Sequence, residues 1–313
     1  RGRTVVHVHS WTKALSAFAP HAACEMGFPL VATLHDFFIA CPSGGFFVHG
    51  PDTLCTRVPL SVGCVACNCD RRNYGHKLWR TARTVVQNRI LNLPRKVAHF
   101  VGVSDHSLGV LRPHLPASVP VTMVRNPLEC EDHGPAPVAL NRSFVFIGRF
   151  EEEKGVRLFA AAVRASGLPA VFIGDGALSA EMRTLCPEAR FTGWLGQDAI
   201  RRELAGARAI VFPPLWYETL GLVVVEAAAA GVPAIVADRC AATDVIRDGV
   251  NGIHFTHGDA RALAAAMQRL DGDAALAGSL GKAAYDGYWA DPWTVDRHVG
   301  KLLGVYGELT RAV

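Results

Sequence analysis

From Ser143 to Phe255 the chain repeats one pattern: a short apolar run, a turn, then a helical stretch. The runs at 143–148, 170–173, 189–192, 208–212, 232–236 and 252–255 read as strands. Helical stretches fall between them at 154–165, 176–185, 197–204, 219–230 and 241–247. Strands that alternate with helices pair in parallel, because each helix carries the chain back to the edge where the last strand began. A parallel sheet needs helices on both faces. The pattern therefore predicts a doubly wound α/β domain whose ligands bind beyond the carboxyl ends of its strands.

The first half has the same grammar, less regularly. Strands are expected at 4–9, 30–34, 99–103 and 120–124, and helices at 12–26, 71–93 and 104–114. Asp70 is the expected cap of the helix over 71–93, and Pro94 its stop. Between His35-Asp36 and that helix lies an irregular, Gly-, Pro- and Cys-rich segment, 40–69. A loop of that length is functional or tied down by something. Residues 125–140 carry three prolines and little periodicity, as a linker does. The expected layout is a first domain over 1–127, a second over 128–290, and a final helical segment over 291–313. At 313 residues and 50% hydrophobic composition, two covered sheets are affordable. A net charge of +4 is too small to make nucleic acid the main partner. No apolar run reaches the roughly 18–20 residues of a membrane span.

The stretch richest in chemistry runs from Glu218 to Glu226, two carboxylates around the seven residues Thr219-Leu220-Gly221-Leu222-Val223-Val224-Val225. A helix starting near Thr219 leaves the amides of Thr219, Leu220 and Gly221 without intrahelical partners, at the positive end of the helix dipole. That is a seat for a phosphate. A carboxylate just before it, and another two turns on, can accept hydrogen bonds from hydroxyls. Phosphates and hydroxyls together describe a nucleotide sugar. A second strand end, Gly148-Arg149-Phe150-Glu151-Glu152-Glu153-Lys154-Gly155, brings Arg149 and Lys154 to one loop. Two cations there suit a diphosphate leaving group, or simply pair with the glutamates. Gly174 and Gly176 mark a third strand end, a turn or a ligand contact; Trp194 marks a fourth, a place for a nucleobase or a packing residue.

Together these residues resemble the retaining glycosyltransferases of family 4, which have the GT-B fold. Glu218 and Glu226 match that family's Glu-x7-Glu, and Gly148, Arg149, Glu153, Lys154 and Gly155 match its Gly-Arg-…-Glu-Lys-Gly loop. The resemblance implies two Rossmann-like domains facing a cleft. It places Arg149 and Lys154 on the nucleotide diphosphate, Glu218 on the transferred sugar beside the amides of Thr219, Leu220 and Gly221, and Glu226 on the ribose. Gly174 joins the donor-binding set. In the first half, Val5-Val6-His7-Val8-His9-Ser10 and Thr33-Leu34-His35-Asp36 resemble acceptor-domain stretches, which makes His35 the candidate catalytic histidine. From the residues alone, His35 equally reads as a histidine ending a strand, and alternation on a strand accounts for His7 and His9. Family members begin with a strand and a glycine-rich loop that this sequence does not show, so the first domain is expected to be incomplete and the chain a truncated or processed form. The last helix is expected to cross back to the first domain.

Five of the nine cysteines lie between Cys41 and Cys69. Cys41, Cys55, Cys64 and Cys67 can form a structural zinc site; free thiols or a disulfide are the other readings. No cofactor is expected for catalysis. The segment Arg71–Lys96 carries eight basic residues and no acidic one. Leu78, Ala82, Val85, Val86 and Leu93 fall near one helical face, so the segment reads as a core-packing helix with a basic outer face, or as a surface for anionic lipid and a lipid-linked acceptor. The expected function is transfer of a sugar from a UDP- or GDP-type donor to a glycan or lipid-linked acceptor, in the cytoplasm or at the inner face of the membrane. The alternatives are a non-catalytic nucleotide-sugar-binding fragment and a nucleotide-sugar epimerase of GT-B fold.

Overall fold

The structure, a computed structural model, describes residues 4–12 and 15–311. The chain divides into two compact units, Arg1–Pro127 with Trp293–Val313, and Leu128–Pro292.

In the first unit come strand β1 (Val6–His9), helix α1 (Phe18–Glu25), strand β2 (Leu30–Leu34) and the short strands β3 (Phe47–Val48) and β4 (Thr53–Leu54). Helices α2 (Val62–Ala66), α3 (Tyr74–Val85) and α4 (Leu93–Lys96) follow, then strand β5 (His99–Gly102), helix α5 (Asp105–Leu111) and strand β6 (Val121–Met123). The main sheet has the order β1-β2-β5-β6, parallel throughout. Every residue of the two inner strands, β2 and β5, is buried. That is why they read as unbroken runs, whereas the edge strands β1 and β6 are only partly covered.

The second unit alternates without interruption: strand β7 (Ser143–Ile147), helix α6 (Val156–Ser166), β8 (Ala170–Ile173), α7 (Ser179–Leu185), β9 (Arg190–Gly193), α8 (Gln197–Ala205), β10 (Ala207–Phe212), α9 (Leu222–Ala229), β11 (Ala234–Ala237) and β12 (Gly252–Phe255). Helices α10 (Ala260–Gly272) and α11 (Ala274–Ala290) close it. The sheet order is β12-β11-β10-β7-β8-β9, all parallel. The order reverses between β7 and β10, the switch point of a Rossmann-type sheet. The expected helix over 241–247 is only a 3-10 turn, Ala241–Asp244. The final helix, α12 (Val295–Arg311), belongs to the first unit, where Val305 packs with Val31, Val101 and Val124. Among the described residues no helix is long and apolar enough to cross a membrane.

Three expectations for the first unit need correction. The first of its helices starts at Phe18, not at residue 12, and residues 13 and 14 lie outside the described residues. Asp70 does not cap α3, although it accepts from the amide of Arg72 at 2.9 Å; Asn73 is the cap, accepting from the amide of His76 at 2.8 Å. The Asp70 carboxylate instead pairs with Arg80 at 3.0 Å and His76 at 3.2 Å. Pro94 does not end a helix but sits in the first turn of α4, where its missing N–H costs nothing.

A fourth correction concerns which side of α3 is inside. Lys77, Thr81, Thr84 and Gln87 are buried, while Leu78, Trp79, Val85 and Ile90 are exposed. Of the apolar face expected to pack in the core, Leu78, Ala82 and Val85 are exposed, whereas Leu93, in α4, is buried. The reason is the partner. The irregular segment beneath the helix presents backbone carbonyls that must be satisfied. Gln87 donates to Phe38 O at 3.1 Å and Asn88 to Ile39 O at 2.9 Å. Arg80 and Arg83 donate to Ser43 O and Pro42 O, both at 3.4 Å. A polar face was needed inward, and it turned the apolar one out.

Candidate active site

The two motif loops leave the carboxyl ends of β7 and β10, the strands on either side of the switch point. They are stitched together by backbone. Leu215 N donates to Glu153 O at 2.9 Å. Gly155 stands at φ +71°, and a Cβ built on it would lie 1.8 Å from the carbonyl oxygen of Pro213. Only glycine allows that approach. The contact places Lys154 Nζ 2.5 Å from Glu218 Oε2, with both side chains mostly buried. Trp216 Nε1 donates to the same oxygen at 3.1 Å, and the Lys154 ammonium lies 5.1 Å from the Trp216 ring centre. The sequence reading assigned Trp216 no role; its spacing of two from Glu218 is visible, its direction is not.

Arg149 sits at the mouth of the same loop, 49% exposed, with its nearest carboxylates Glu153 at 3.6 Å and Glu151 at 4.0 Å. One Glu153 oxygen is buried without a hydrogen-bond partner. The guanidinium thus stays open to solvent on one side and has a carboxylate to hold it on the other. Gly174 has a structural reason of its own: at φ +128°, a Cβ would lie 2.0 Å from Gly148 O.

The phosphate seat is shifted from its expected place. Helix α9 begins at Leu222 with Gly221 as its N-cap, so Thr219, Leu220 and Gly221 belong to the loop. Gly221 is held out of helical geometry at φ −114°, ψ 67°. A Cβ there would lie 3.1 Å from the Phe212 ring. Val224 N already turns back to Gly221 O at 2.8 Å. The leading amides of the helix are therefore those of Leu222 and Val223.

Glu226, one turn into α9, faces a cavity of about 230 Å³. Glu129, Cys130, His133, Arg201 and Ala230 share its lining, whereas Glu218, Arg149 and Lys154 do not. Burial pushes the Glu226 carboxyl above its ordinary range. Arg201 bonds Asp198 at 2.7 Å and His133 at 2.7 Å. The cavity combines apolar walls from Pro135, Ile200 and Leu204 with a few polar groups, the usual make-up of a small-molecule pocket. Trp194 is 62% exposed, so it is not a core side chain.

In the first unit the register of β1 on β2 sets His9 against Thr33, which brings it beside the end of β2. His9 Nδ1 lies 2.9 Å from His35 Nε2, with the rings stacked at 5.1 Å. His7 Nε2 lies 2.7 Å from Thr33 Oγ1, and its Nδ1 2.5 Å from the Tyr306 hydroxyl of α12. Burial, with the neighbouring His9, His35 and His298, holds the His7 imidazole down to about 4. Burial likewise lowers His9 and His35. His35 thus stands in contact with His9 at the end of β2, with burial holding both imidazoles below their ordinary range. The alternation that seemed to explain His7 and His9 hid this, although the parallel pairing of their strand with β2 was the available signal.

The cysteines expected to hold zinc, Cys41, Cys55, Cys64 and Cys67, are all free thiols. No group of three or more His, Cys, Asp or Glu side chains among the described residues is gathered as a metal ion requires.

Comparison with known proteins bears on the second unit first. Residues 141–273 match the family described as Glycosyl transferases group 1. A GDP-mannose-dependent alpha-mannosyltransferase of Corynebacterium glutamicum is 35% identical over 108 residues, covering 34% of this chain and 26% of that protein. The lipopolysaccharide core biosynthesis glycosyltransferase LpsE of Rhizobium meliloti is 30% identical over 158 residues, 48% of this chain and 44% of its own. The chain thus spans less than half the length of these curated relatives. Among solved structures, Anabaena HepE in complex with UDP superposes with a TM-score of 0.69 over 97% of this chain and 79% of that one, at 16% identity. That likeness speaks to the fold alone.

Proposed function

We propose that this chain, whose residues 141–273 match the Glycosyl transferases group 1 family, is a GT-B glycosyltransferase that moves a sugar from a nucleotide diphosphate sugar to an acceptor hydroxyl, with retention at the anomeric carbon. The observation that carries this reading is the Lys154–Glu218–Trp216 cluster at the switch point of the second unit. The Lys154 ammonium pairs with the Glu218 carboxylate. A diphosphate arriving at Arg149 and Lys154 draws those cations to itself, and the Glu218 carboxylate is left to accept from a sugar hydroxyl. Glu226, in its cavity, takes the ribose hydroxyls. In the first unit His35 is the candidate catalytic residue, its ring nitrogen oriented by the contact with His9. The relatives' use of GDP-mannose and the UDP complex of a structural neighbour support a GDP- or UDP-type donor.

A thermal-shift series with UDP, GDP and their sugars tests the donor half. Ligand at a hundred times its dissociation constant adds about 2.7 kcal/mol to the folded state, enough to raise the melting temperature by several degrees. If no nucleoside diphosphate moves the transition at millimolar concentration, the donor site is misassigned. Donor alone, followed by product analysis, separates the epimerase reading, which gives an altered sugar without acceptor.

The outward apolar face of α3 extends the proposal to the acceptor. Leu78, Trp79, Val85 and Ile90 are exposed beside Arg71, Arg72 and Arg89, with no acidic residue in the segment. Such a face suits the anionic surface on which a lipid-linked acceptor of cell-surface glycan synthesis is carried, and hence the cytoplasmic side of a membrane. Work on polysaccharide by a relative such as LpsE agrees with this. The chain should sediment with vesicles containing phosphatidylglycerol, less so at high salt, and Trp79→Ser with Ile90→Ser should weaken this at least tenfold. Equal recovery with phosphatidylcholine vesicles alone, or no effect of the double variant, refutes the assignment.

A further inference from the structure

Cys41, Cys55, Cys64, Cys67 and Cys69 are spread over a segment that has only β3, β4 and the short helix α2 to order it. All five nevertheless line one cavity of about 10 Å³, together with Lys77. A space of that size takes a single small occupant. Lys77 is the unusual member. Its side chain is fully buried, its Nζ lies 3.6 Å from Cys64 Sγ, and no carboxylate pairs with it among the described residues. A buried ammonium is costly unless an anion faces it. Here the groups that can supply negative charge are the sulfurs.

Two of the other sulfurs have polar neighbours. Arg57 Nη1 lies 4.0 Å from Cys55 Sγ, and the Ser43 hydroxyl 3.3 Å from Cys69 Sγ. Donors turned onto sulfur from lysine and arginine form the outer shell that metal-bound thiolates receive. They do little for neutral thiols.

We propose that Cys41, Cys55, Cys64 and Cys67 bind one zinc-class divalent ion as a tetrathiolate, and that this ion orders the segment between β2 and α3. Cys64 lies in α2 and Cys67 is its C-cap, and a two-residue spacing lets both sulfurs reach one ion. Cys69 follows in a tight turn, its amide donating to Cys67 O at 3.0 Å, and keeps the Ser43 hydroxyl. Four thiols release four protons to solvent on binding, and the resulting site carries two net negative charges. Lys77 and Arg57 offset them. The described thiols are not gathered as a metal ion requires; a tetrathiolate needs side-chain rotations that bring the four sulfurs to about 2.3 Å from one ion. The buried polar face of α3 thereby gains a purpose, since an apolar residue at 77 would leave the charge uncompensated.

The test uses the full chain, purified with zinc and then dialysed against metal-free buffer. Elemental analysis should find about one zinc per chain, and replacement by cobalt should give the intense visible bands of a tetrahedral thiolate site. Cys69→Ser should keep both signals. Cys64→Ser should lose at least tenfold in metal affinity, read by competition with a chromogenic chelator. The wild-type cobalt titration needs no variant, so a misfolded Cys64→Ser does not spare the proposal. Retention of no metal by the wild-type chain, cobalt spectra of an octahedral oxygen-ligated ion, or native disulfides among these cysteines by mass spectrometry would each overturn it.

Discussion

Replacing Glu218 by alanine should lower the rate of sugar transfer about a thousandfold while leaving nucleoside diphosphate affinity within a few-fold of wild type. A thousandfold loss corresponds to about 4 kcal/mol of transition-state stabilisation, the order expected for removing one well-placed electrostatic partner. Affinity is preserved because the variant frees Lys154, which in the parent lies 2.5 Å from the lost carboxylate. The split matters. A merely structural Glu218 would lose binding and melting temperature together. Isothermal titration with UDP and GDP, beside a transfer assay with the same donors, resolves the two. Transfer at the parental rate with binding intact would remove Glu218 from the reaction. A parent that binds donor but gives neither transfer nor hydrolysis would favour the binding-protein reading.

Gly155→Ala should destabilise the second unit by about 2–4 kcal/mol and abolish measurable donor binding. Two costs add. At φ +71° an L-residue costs about 1–2 kcal/mol. The new Cβ would also stand 1.8 Å from Pro213 O, a backbone atom that cannot swing aside. Relief requires the loops after β7 and β10 to part, which pulls Lys154 from Glu218. A displacement of about 1 Å at a reacting site can cost about a hundredfold. Gly167→Ala is the control: its φ is +68°, and nothing lies within 4 Å of the added Cβ. It should cost about 1 kcal/mol and leave donor binding alone. If the two variants melt together and bind alike, the contact between the loops does not organise the site.

These effects were partly legible before any coordinates. The Gly-Arg-…-Glu-Lys-Gly loop and the two glutamates can be found in the sequence because strand ends carry their functional residues in short, ordered stretches. That Lys154 meets Glu218 was not legible, since the residues are 64 apart and only the pairing of β10 with β7 joins them. Likewise, Glu226 was found with Glu218, but the cavity it faces is built from 129–137 and α8, which no local pattern announces.

By itself the sequence determined the α/β class, the strands of both sheets and the residues that carry charge to the strand ends. Those follow from short-range rules: apolar runs bury, glycines turn, and alternation with helices makes strands parallel. Tertiary structure alone decided three things. It chose the polar side of α3 as the inner one, because the carbonyls beneath it needed donors. It joined His9 to His35 through the register of neighbouring strands. It moved the start of α9 to Leu222, with Gly221 out of helical geometry beside the Phe212 ring, which would stand 3.1 Å from an added Cβ. In each case the deciding partner is distant in the chain, and its demands leave no mark on the local pattern.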